Sequence, residues 1–362
     1  MRREAWFPCF SPISERSMQL PSVTFVIATY HRIEALRCTL RSLQLQTHRE
    51  WDAIVVGDCC GPETGDMIRT LTDGRIRYYN FPERFGEQSG PNSFGLHLAT
   101  GDYVCFLNHD DLLLADHLKH SLAGIAAAGS DFYIALAAHA AKLTVDAGGA
   151  TVPVFTSVLP LQRELTALIA PNQYFFDPSS FWLVRTAYAR AVGPWRHSSR
   201  LWRTPLRDWI MRAWRLGGVF SFGDKITGLR FWTQNLRKGA PLYEGETPEH
   251  VYMIKLMEGI SPDGVREFIR LQLEEIAKSR GLSERSKPNE APRSGFIRAM
   301  IFLQVELYLR FGIDPLAVSS WLAGREKGAL HKALLRKRTG ESLSRITDIS
   351  NLLENPESFR VL

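Results

Sequence analysis

A polar cluster follows an apolar run in the first third of the chain. Residues 103–107 suit a buried strand, and Asn108, His109, Asp110 and Asp111 come directly after it. Carboxylate and amide oxygens are ligands for hard cations such as Mg²⁺, which leave positions for a substrate's phosphates. The alternative is an ordinary turn, because Asn and Asp favour turns through local hydrogen bonds to the backbone. By itself this stretch leaves both interpretations open.

Strands and helices alternate around this cluster. Two apolar, β-branched runs, residues 23–28 and 51–57, suit strands that are buried on both faces of a parallel sheet. Between them, apolar residues recur at helical spacing, which predicts an amphipathic helix. We further predict strands at residues 75–79 and 103–110, helices at residues 90–100 and 112–128, and a turn at residues 59–65. This alternation predicts an α/β fold with a mainly parallel sheet flanked by helices.

Polar residues follow three of the predicted strands, at residues 29–32, at Asp58 and at residues 108–111. Open α/β sheets bind ligands in the crevice beyond the carboxyl ends of their strands. Folding alone does not require all three strand ends to be polar, so we favour a nucleotide or phosphate site over plain turns. The chain has no GxGxxG after the first strand and no GxxxxGK[ST], so neither a dinucleotide site nor a P-loop is indicated.

Beyond residue 130 the pattern is less regular. We predict strands at residues 131–141 and 178–185, a loop with a short strand at residues 148–160, helices at residues 186–192 and 206–214, and mostly helices from residue 250, with a break near residues 279–293. The segment 195–240 contains ten Arg and Lys residues, five of the nine Trp residues and only two acids, which raises nucleic-acid binding as an alternative function. No recognised nucleic-acid motif is present, and we expect no nucleic-acid partner.

The composition is that of a globular protein. The chain has 362 residues, of which 45% are hydrophobic and 23% charged, and its net charge is +6. Five cysteines without a CxxC pair predict reduced thiols and a cytoplasmic protein. No apolar run approaches the roughly 20 residues that cross a bilayer. Any membrane contact is therefore expected to be peripheral, on the inner face.

Together, these motifs resemble those of family 2 glycosyltransferases, which are inverting, nucleotide-sugar-dependent enzymes with the GT-A fold. The matching segments are VTFVIATYHR from Val23, IVVGDCCGPET from Ile54 and GEQSGPNSFGLHLATGDYVCFLNHDD from Gly86. The run Arg207-Asp208-Trp209 is similar to the family's acidic residue before an aromatic helix. The resemblance covers about residues 21–235. It implies a Rossmann-like GT-A (nucleotide-diphospho-sugar transferase) domain at residues 21–240, between an N-terminal arm (1–20) and a helical C-terminal region (241–362).

The resemblance also implies a role for each matching residue. Asp208 would be the general base, and Asp111 would support the donor sugar. Asp110, assisted by Asn108, would bind Mg²⁺ or Mn²⁺ between the donor's phosphates. The nucleotide would contact seven residues: Ala28, Thr29, Tyr30, Arg32, Asp58, Asn92 and His109. Asn108 stands where many members have the first Asp of the D-x-D signature, and an uncharged amide oxygen would bind the metal more weakly.

Asp208 has a second interpretation. It could be a helix acid paired with Arg212 four residues later, which contributes only about 0.2–0.5 kcal/mol. The resemblance favours the base, which would remove the proton of an acceptor hydroxyl and typically raises rates by about 10²–10⁴-fold. Among the nearby tryptophans we expect Trp209 and Trp214 in the core. Trp202, in a polar setting, is the candidate for an acceptor contact.

The implied reaction transfers a sugar, with inversion, from a nucleoside diphosphate, expected to be UDP, to a hydroxyl of a glycan or lipid-linked acceptor. The product would be a bacterial surface polysaccharide or lipopolysaccharide. A non-catalytic module that binds sugar nucleotides or partners is an alternative, motivated by Asn108. Near residues 296–311, an apolar face with Met300, Val305 and Tyr308 either packs against the catalytic domain or contacts a partner or membrane surface. The basic run 332–338 adds positive charge.

Overall fold

The computed structural model describes residues 20–161, 163–169, 178–232, 247–279, 295–329 and 348–362, without the side chains of residues 295–297. Several predicted features lie outside these ranges. They are the N-terminal arm apart from Leu20, the break near residues 279–293 apart from Ser279, the domain boundary at residue 240, and the basic run 332–338.

A sheet of nine strands organises the described part of the chain. The strands are β1 (Val23–Thr29), β2 (Trp51–Gly57), β3 (Ile76–Asn80), β4 (Tyr103–Asn108), β5 (Asp111–Leu113), β6 (Phe132–Val145), β7 (Thr151–Leu159), β8 (Trp182–Arg185) and β9 (Phe220–Phe231). Their order is β3-β2-β1-β4-β8-β6-β9-β5, and β7 pairs with β6 beside this path. Strands β5, β7 and β8 run opposite to the other six. The predicted α/β class with a mainly parallel sheet is confirmed.

Helices cover both faces of this sheet. They are α1 (Ile33–Gln44), α2 (Pro62–Arg69), α3 (Ser89–Leu98), α4 (His117–Ala127), α5 (Thr186–Val192), α6 (Pro205–Arg215), α7 (Pro248–Gly259), α8 (Pro262–Ser279), α9 (Gly295–Phe311), α10 (Pro315–Leu322) and α11 (Ser350–Glu354).

Successive side chains of β1 point to opposite faces of the sheet. Phe25 and Ile27 pack in the core with α1, α2 and α4, whereas Val26 packs in the core with α3, α5 and α6. All three are fully buried, and burying each such side chain contributes about 1.5–3 kcal/mol. Gly95 of α3 faces Val26, and a Cβ atom at Gly95 would lie 2.2 Å from Val26 Cγ1. This close approach explains a glycine inside a predicted helix.

Several predicted elements were wrong in their extent. The strand predicted at residues 178–185 begins only at Trp182, after a 3-10 turn, and the strand predicted at residues 103–110 ends at Asn108. The predicted turn at residues 59–65 contains the start of α2, which begins at Pro62 with Glu63 in its first turn, and both residues favour a helix start. The predicted helix at residues 112–128 begins only at His117. Residues 111–113 instead form β5, because they pair with β9, which was not predicted. Gly223, Asp224 and Lys225 interrupt the apolar pattern of β9.

The helices after residue 247 pack against the same sheet and helices. Met253 and Ile254 of α7 share a core with strands β6, β7 and β9. Val305 and Tyr308 of α9 are buried beside α6. The apolar face predicted near residues 296–311 therefore packs inward at these positions. In the part of the chain that the structure describes, no helix is long and apolar enough to cross a membrane.

Candidate active site

The polar strand ends predicted from the sequence lie along one edge of the sheet. Strand β1 pairs in parallel with β2 and β4, so that Thr29 is opposite Gly57 and Ala28 is opposite Asn108. Asp58 follows Gly57, and its backbone N–H donates to the Thr29 carbonyl at 2.9 Å. Because parallel strands present their carboxyl ends at the same edge, the ends of three neighbouring strands meet here.

Arg32 and Asp110 form a partly buried ion pair at this edge. His31 and Arg32 have positive φ angles of 50° and 56°, a left-handed conformation that is unfavourable for non-glycine residues. The turn brings Arg32 Nη1 to 2.5 Å from Asp110 Oδ2, and the two side chains are 4% and 19% exposed. Burial raises the pKa of Asp110, but the charge of Arg32, together with smaller contributions from His109, His250 and Arg230, outweighs burial and holds that pKa well below its usual range. The Asp110 carboxylate is therefore ionised and fixed.

Asp111 points into the protein behind Asn108. Its Oδ2 accepts hydrogen bonds from Asn108 Nδ2 at 2.9 Å and from Ser180 Oγ at 2.5 Å. The residue is only 2% exposed. Burial, together with the charge of Asp110, raises the pKa of Asp111 to about 6. In this arrangement Asp111 orients the Asn108 amide, which fixes the position of that amide at the strand end.

His109 bridges the ends of β1 and β4. Its Nδ1 lies 3.1 Å from Thr29 Oγ1 and accepts a hydrogen bond from the Tyr30 backbone N–H at 3.4 Å. Burial lowers the pKa of His109 to about 4, so the imidazole is neutral at neutral pH. A neutral ring with Nδ1 as an acceptor suits this bridging position.

An aromatic and a cationic side chain stack beside the end of β1. The Arg84 guanidinium lies 3.9 Å from the centre of the Tyr30 ring. Asp58 holds the loop that carries Arg84, because its Oδ1 accepts from the Phe85 N–H at 2.5 Å and its Oδ2 from the Gly86 N–H at 2.8 Å. Burial raises the pKa of Asp58, and these two amide hydrogen bonds oppose that effect. Arg84 was not among the predicted site residues, and it precedes the matching segment that starts at Gly86 by two positions.

Asn92 is buried in the first turns of α3, with 3% exposure. The same helix begins just after Glu87, whose side chain and that of His197 are both 1% exposed, with His197 Nε2 3.8 Å from Glu87 Oε2. Glu87 Oε1 also accepts from the Ser198 backbone N–H at 3.0 Å. This buried contact joins the loop held by Asp58 to the segment that leads to α6. It links positions more than 100 residues apart, and no sequence motif indicated it.

Asp208 lies in the first turns of α6, which begins after Thr204. Its Oδ2 accepts from Arg212 Nε at 2.8 Å, and its Oδ1 lies 3.7 Å from Arg196 Nη1. Within the described ranges these two arginines are its side-chain partners, and none of the strand-end residues is among them. The Asp208 side chain keeps 14% of its surface exposed, which leaves it accessible to a small acceptor group.

The tryptophans near α6 separate into core and surface residues. Trp209, Trp182 and Trp195 cluster with mutual ring-centre distances of 5.5–6.2 Å. Trp209 also contacts Phe106 of β4, with the ring centres 5.2 Å apart. Trp209 is fully buried, as predicted, whereas Trp202 is half-buried. Since Phe106 lies two residues before Asn108, this aromatic contact fixes α6 relative to the strand end.

The side-chain oxygens at the end of β4 suit a hard divalent cation that takes most of its ligands from the substrate and water. Among the described residues, no group of three or more His, Cys, Asp or Glu could hold a metal ion. Mg²⁺ usually takes only one or two protein carboxylates and completes its octahedron with waters and phosphates. The fixed carboxylate of Asp110 and the amide oxygen of Asn108 meet that requirement.

Comparison with known proteins gives a consistent family assignment. The family model described as glycosyl transferase family 2 matches residues 24–193. The succinoglycan biosynthesis protein ExoO of Rhizobium meliloti is 24% identical over 178 residues, which cover 48% of this chain and 49% of ExoO. The GalNAc(5)-diNAcBac-PP-undecaprenol beta-1,3-glucosyltransferase of Campylobacter jejuni is 29% identical over 102 residues, or 28% of this chain and 33% of that protein. The chain thus spans about half or less of these relatives.

Among solved structures, TarS of S. aureus in complex with UDP-GlcNAc matches 84% of this chain and 92% of its own, with 16% identity and a TM-score of 0.47.

Proposed function

We propose that this chain, whose residues 24–193 match the model of glycosyl transferase family 2, transfers a sugar from a nucleoside-diphosphate donor to a hydroxyl of a glycan or lipid-linked acceptor. UDP is the first candidate for the donor nucleotide, and the product would be a bacterial surface polysaccharide. The observation that carries this proposal is the meeting of Tyr30, Asp58 and the Asn108–Asp110 turn at one edge of the sheet. The mainly parallel α/β sheet agrees with the GT-A expectation.

The donor nucleotide would lie against the end of β1. The Tyr30 ring, with Arg84 stacked on it, offers a flat surface of the kind on which a base stacks. Each Asp58 oxygen accepts one backbone N–H, and a carboxylate oxygen has a second lone pair. Asp58 can therefore accept the imide N–H of a uracil ring while it holds the loop.

The diphosphate would lie beside Asp110. A divalent metal bound there would act as a Lewis acid on the charge that develops on the departing nucleoside diphosphate. The protein's own part is positional: Arg32 keeps Asp110 ionised and aimed, and Asp111 orients Asn108.

Asp208 would accept the proton of the attacking acceptor hydroxyl. Arg212 holds its Oδ2, and the packing of Trp209 on Phe106 fixes its helix relative to the strand end. A hydroxyl that attacks the anomeric carbon on the face opposite the leaving group, with one carboxylate as base, gives inversion. Trp202, half-buried just before α6, is the proposed acceptor contact.

The first test is calorimetry of UDP binding with and without Mn²⁺, for the wild type and Asp110→Asn. We expect metal-dependent binding to the wild type and weaker binding, by about tenfold or more, to the variant, because the variant loses a charged metal ligand. Failure of UDP, GDP and dTDP to bind with metal would contradict the proposal. Metal-dependent binding without turnover of any donor would favour the non-catalytic, sugar-nucleotide-binding alternative.

A further inference from the structure

Exposed apolar side chains concentrate on helices α9 and α10. Of the sixteen large hydrophobic residues that are exposed in the described part of the chain, eight fall between Met300 and Leu322. Phe302, Phe311, Trp321 and Leu322 are each 67–72% exposed. Single exposed apolar residues are normal, but a concentration of this kind marks an interaction surface. We call the exposed apolar residues of 300–322 the α9–α10 surface.

Folding of the chain does not require this surface. Helix α9 already buries Val305 and Tyr308 against α6, where the Tyr308 and Trp214 rings are 6.4 Å apart. The exposed residues Phe302 and Leu303 lie at other positions around the same helix. They contribute to exposed area and not to the core, so they are available to a binding partner.

The charges next to the α9–α10 surface favour an anionic partner. Arg298, Arg325 and Lys327 are exposed. In the sequence, residues 325–338 contain six Arg and Lys residues and one Glu. Bulky aliphatic and Trp side chains beside Lys and Arg are the combination by which proteins bind the interface of an anionic bilayer.

We propose that the α9–α10 surface docks on an anionic lipid bilayer. Its position relative to the candidate base is fixed, because Arg203 Nε and Nη2 lie 2.6 and 2.7 Å from the Asp314 carboxylate, which caps α10. Arg203 lies five residues before Asp208 in the segment that leads into α6. Docking would thus hold the helix of Asp208 at a set distance from the membrane surface, where the sugar end of a lipid-linked acceptor is found. Docking itself does not depend on the transfer reaction.

The test is flotation of the full chain with vesicles of phosphatidylethanolamine and phosphatidylglycerol, compared with vesicles of phosphatidylcholine alone. We expect flotation with the anionic vesicles that weakens at high salt. The double variant W321E/L322E should partition at least about 100-fold less, since two apolar side chains that would insert into the bilayer become carboxylates near anionic lipid. The matched control V145E/L271E changes two side chains that are 66% and 53% exposed elsewhere, and it should float like the wild type.

Equal flotation of W321E/L322E and the wild type would overturn the proposal, as would absence of wild-type flotation. The wild type could instead form a concentration-dependent dimer and bind no vesicles. If W321E/L322E then lost the dimer, the α9–α10 surface would be assigned to contact with a second copy of the chain. UDP calorimetry on the same variants separates this proposal from the transfer reaction. We expect both double variants to bind UDP like the wild type. If neither the variants nor the wild type bound UDP, this result would count against the proposed function and not against membrane docking.

Discussion

Arg32 and Asp110 are 78 positions apart in the chain, yet Arg32 Nη1 contacts Asp110 Oδ2 at 2.5 Å. This ion pair ties the end of β1 to the turn after β4, so the predicted nucleotide-binding and metal-binding segments are one unit. The left-handed conformation of His31 and Arg32 is a cost that the pair offsets. Such local strain is typical of functional sites.

Arg32→Met should destabilise the protein strongly. The substitution keeps much of the apolar stem but removes the guanidinium from a largely buried ion pair, which costs about 3 kcal/mol. Urea denaturation measures the effect. Arg37→Met is the control, because the Arg37–Glu34 pair is 40% and 44% exposed and its loss should cost less than about 1 kcal/mol. Equal effects of the two substitutions would show that the Arg32 pair contributes no more than a surface pair.

Asp208→Asn should abolish most sugar transfer without affecting donor binding. The amide cannot accept the acceptor proton, so turnover should fall by about 10²–10⁴-fold, while UDP affinity by calorimetry stays unchanged. Asp224→Asn, which changes an exposed acid on β9, should leave both quantities unchanged. If Asp208 serves only as the helix partner of Arg212, Asp208→Asn will keep turnover within about twofold and lower stability by a few tenths of a kcal/mol.

Glu87→Ala should weaken the link between the loop that carries Arg84 and the segment before α6. It removes the acceptor of the buried Ser198 N–H, and an unsatisfied buried group costs about 1–3 kcal/mol. Glu87→Gln keeps an oxygen for Ser198 and should cost less. Glu83→Ala, at an exposed position of the same loop, is the control. Thermal unfolding ranks the three variants, and an order in which Glu87→Gln is the worst would contradict this account.

His117 should make stability depend on pH. It is fully buried, with Nδ1 2.9 Å from Thr227 Oγ1, and burial lowers its pKa from 6.5 to about 4. Between these values the unfolded chain binds a proton that the folded protein does not, so stability falls as the pH falls from 6.5 toward 4. The expected loss from this residue is about 2 kcal/mol between about pH 7.5 and pH 5.

Comparison of His117→Gln with His97→Gln isolates the contribution of His117 to the pH dependence of stability. Asp111 acts in the opposite direction. Its pKa is raised from 3.8 to about 6 in the folded protein, so the free energy of unfolding that it contributes is lost as the pH rises from about 4 to 6. His117→Gln should flatten the acid side of the stability profile measured by urea denaturation, and His97→Gln, at an exposed position, should not. A profile of His117→Gln parallel to that of the wild type would exclude His117 as a source of the pH dependence.

The sequence was most informative where local pattern and function coincide. Apolar runs that end in polar residues predicted β1, β2 and β4 and the edge at which Thr29, Asp58 and Asn108 meet. Parallel pairing explains this success, because it brings together strand ends that are far apart in the chain. The roles assigned to these residues, and to Asp208, stay predictions.

Contacts set by packing were not predictable in this way. Strand β9 carries Gly223 and charged neighbours, and only its pairing with β6 and β5 makes it a strand. That pairing in turn shortens the helix expected from residue 112, because tertiary hydrogen bonds override local propensity. The Glu87–His197 contact and the stacking of Arg84 on Tyr30 depend on loop paths that no periodicity records.

Strand β3 lies at one end of the strand order, and its outer edge is covered by residues that come about 280 positions later in the sequence. The Val361 N–H donates to the Tyr78 carbonyl at 2.7 Å, and the Tyr78 N–H donates to the Leu362 carbonyl at 3.1 Å. An uncovered edge is a template for pairing with other chains. During synthesis, residues 76–80 emerge long before residues 361–362, so this edge stays open to aggregation until residues 361–362 have also been translated. A nascent chain of this protein therefore depends on late residues, or on chaperones, to protect an early strand.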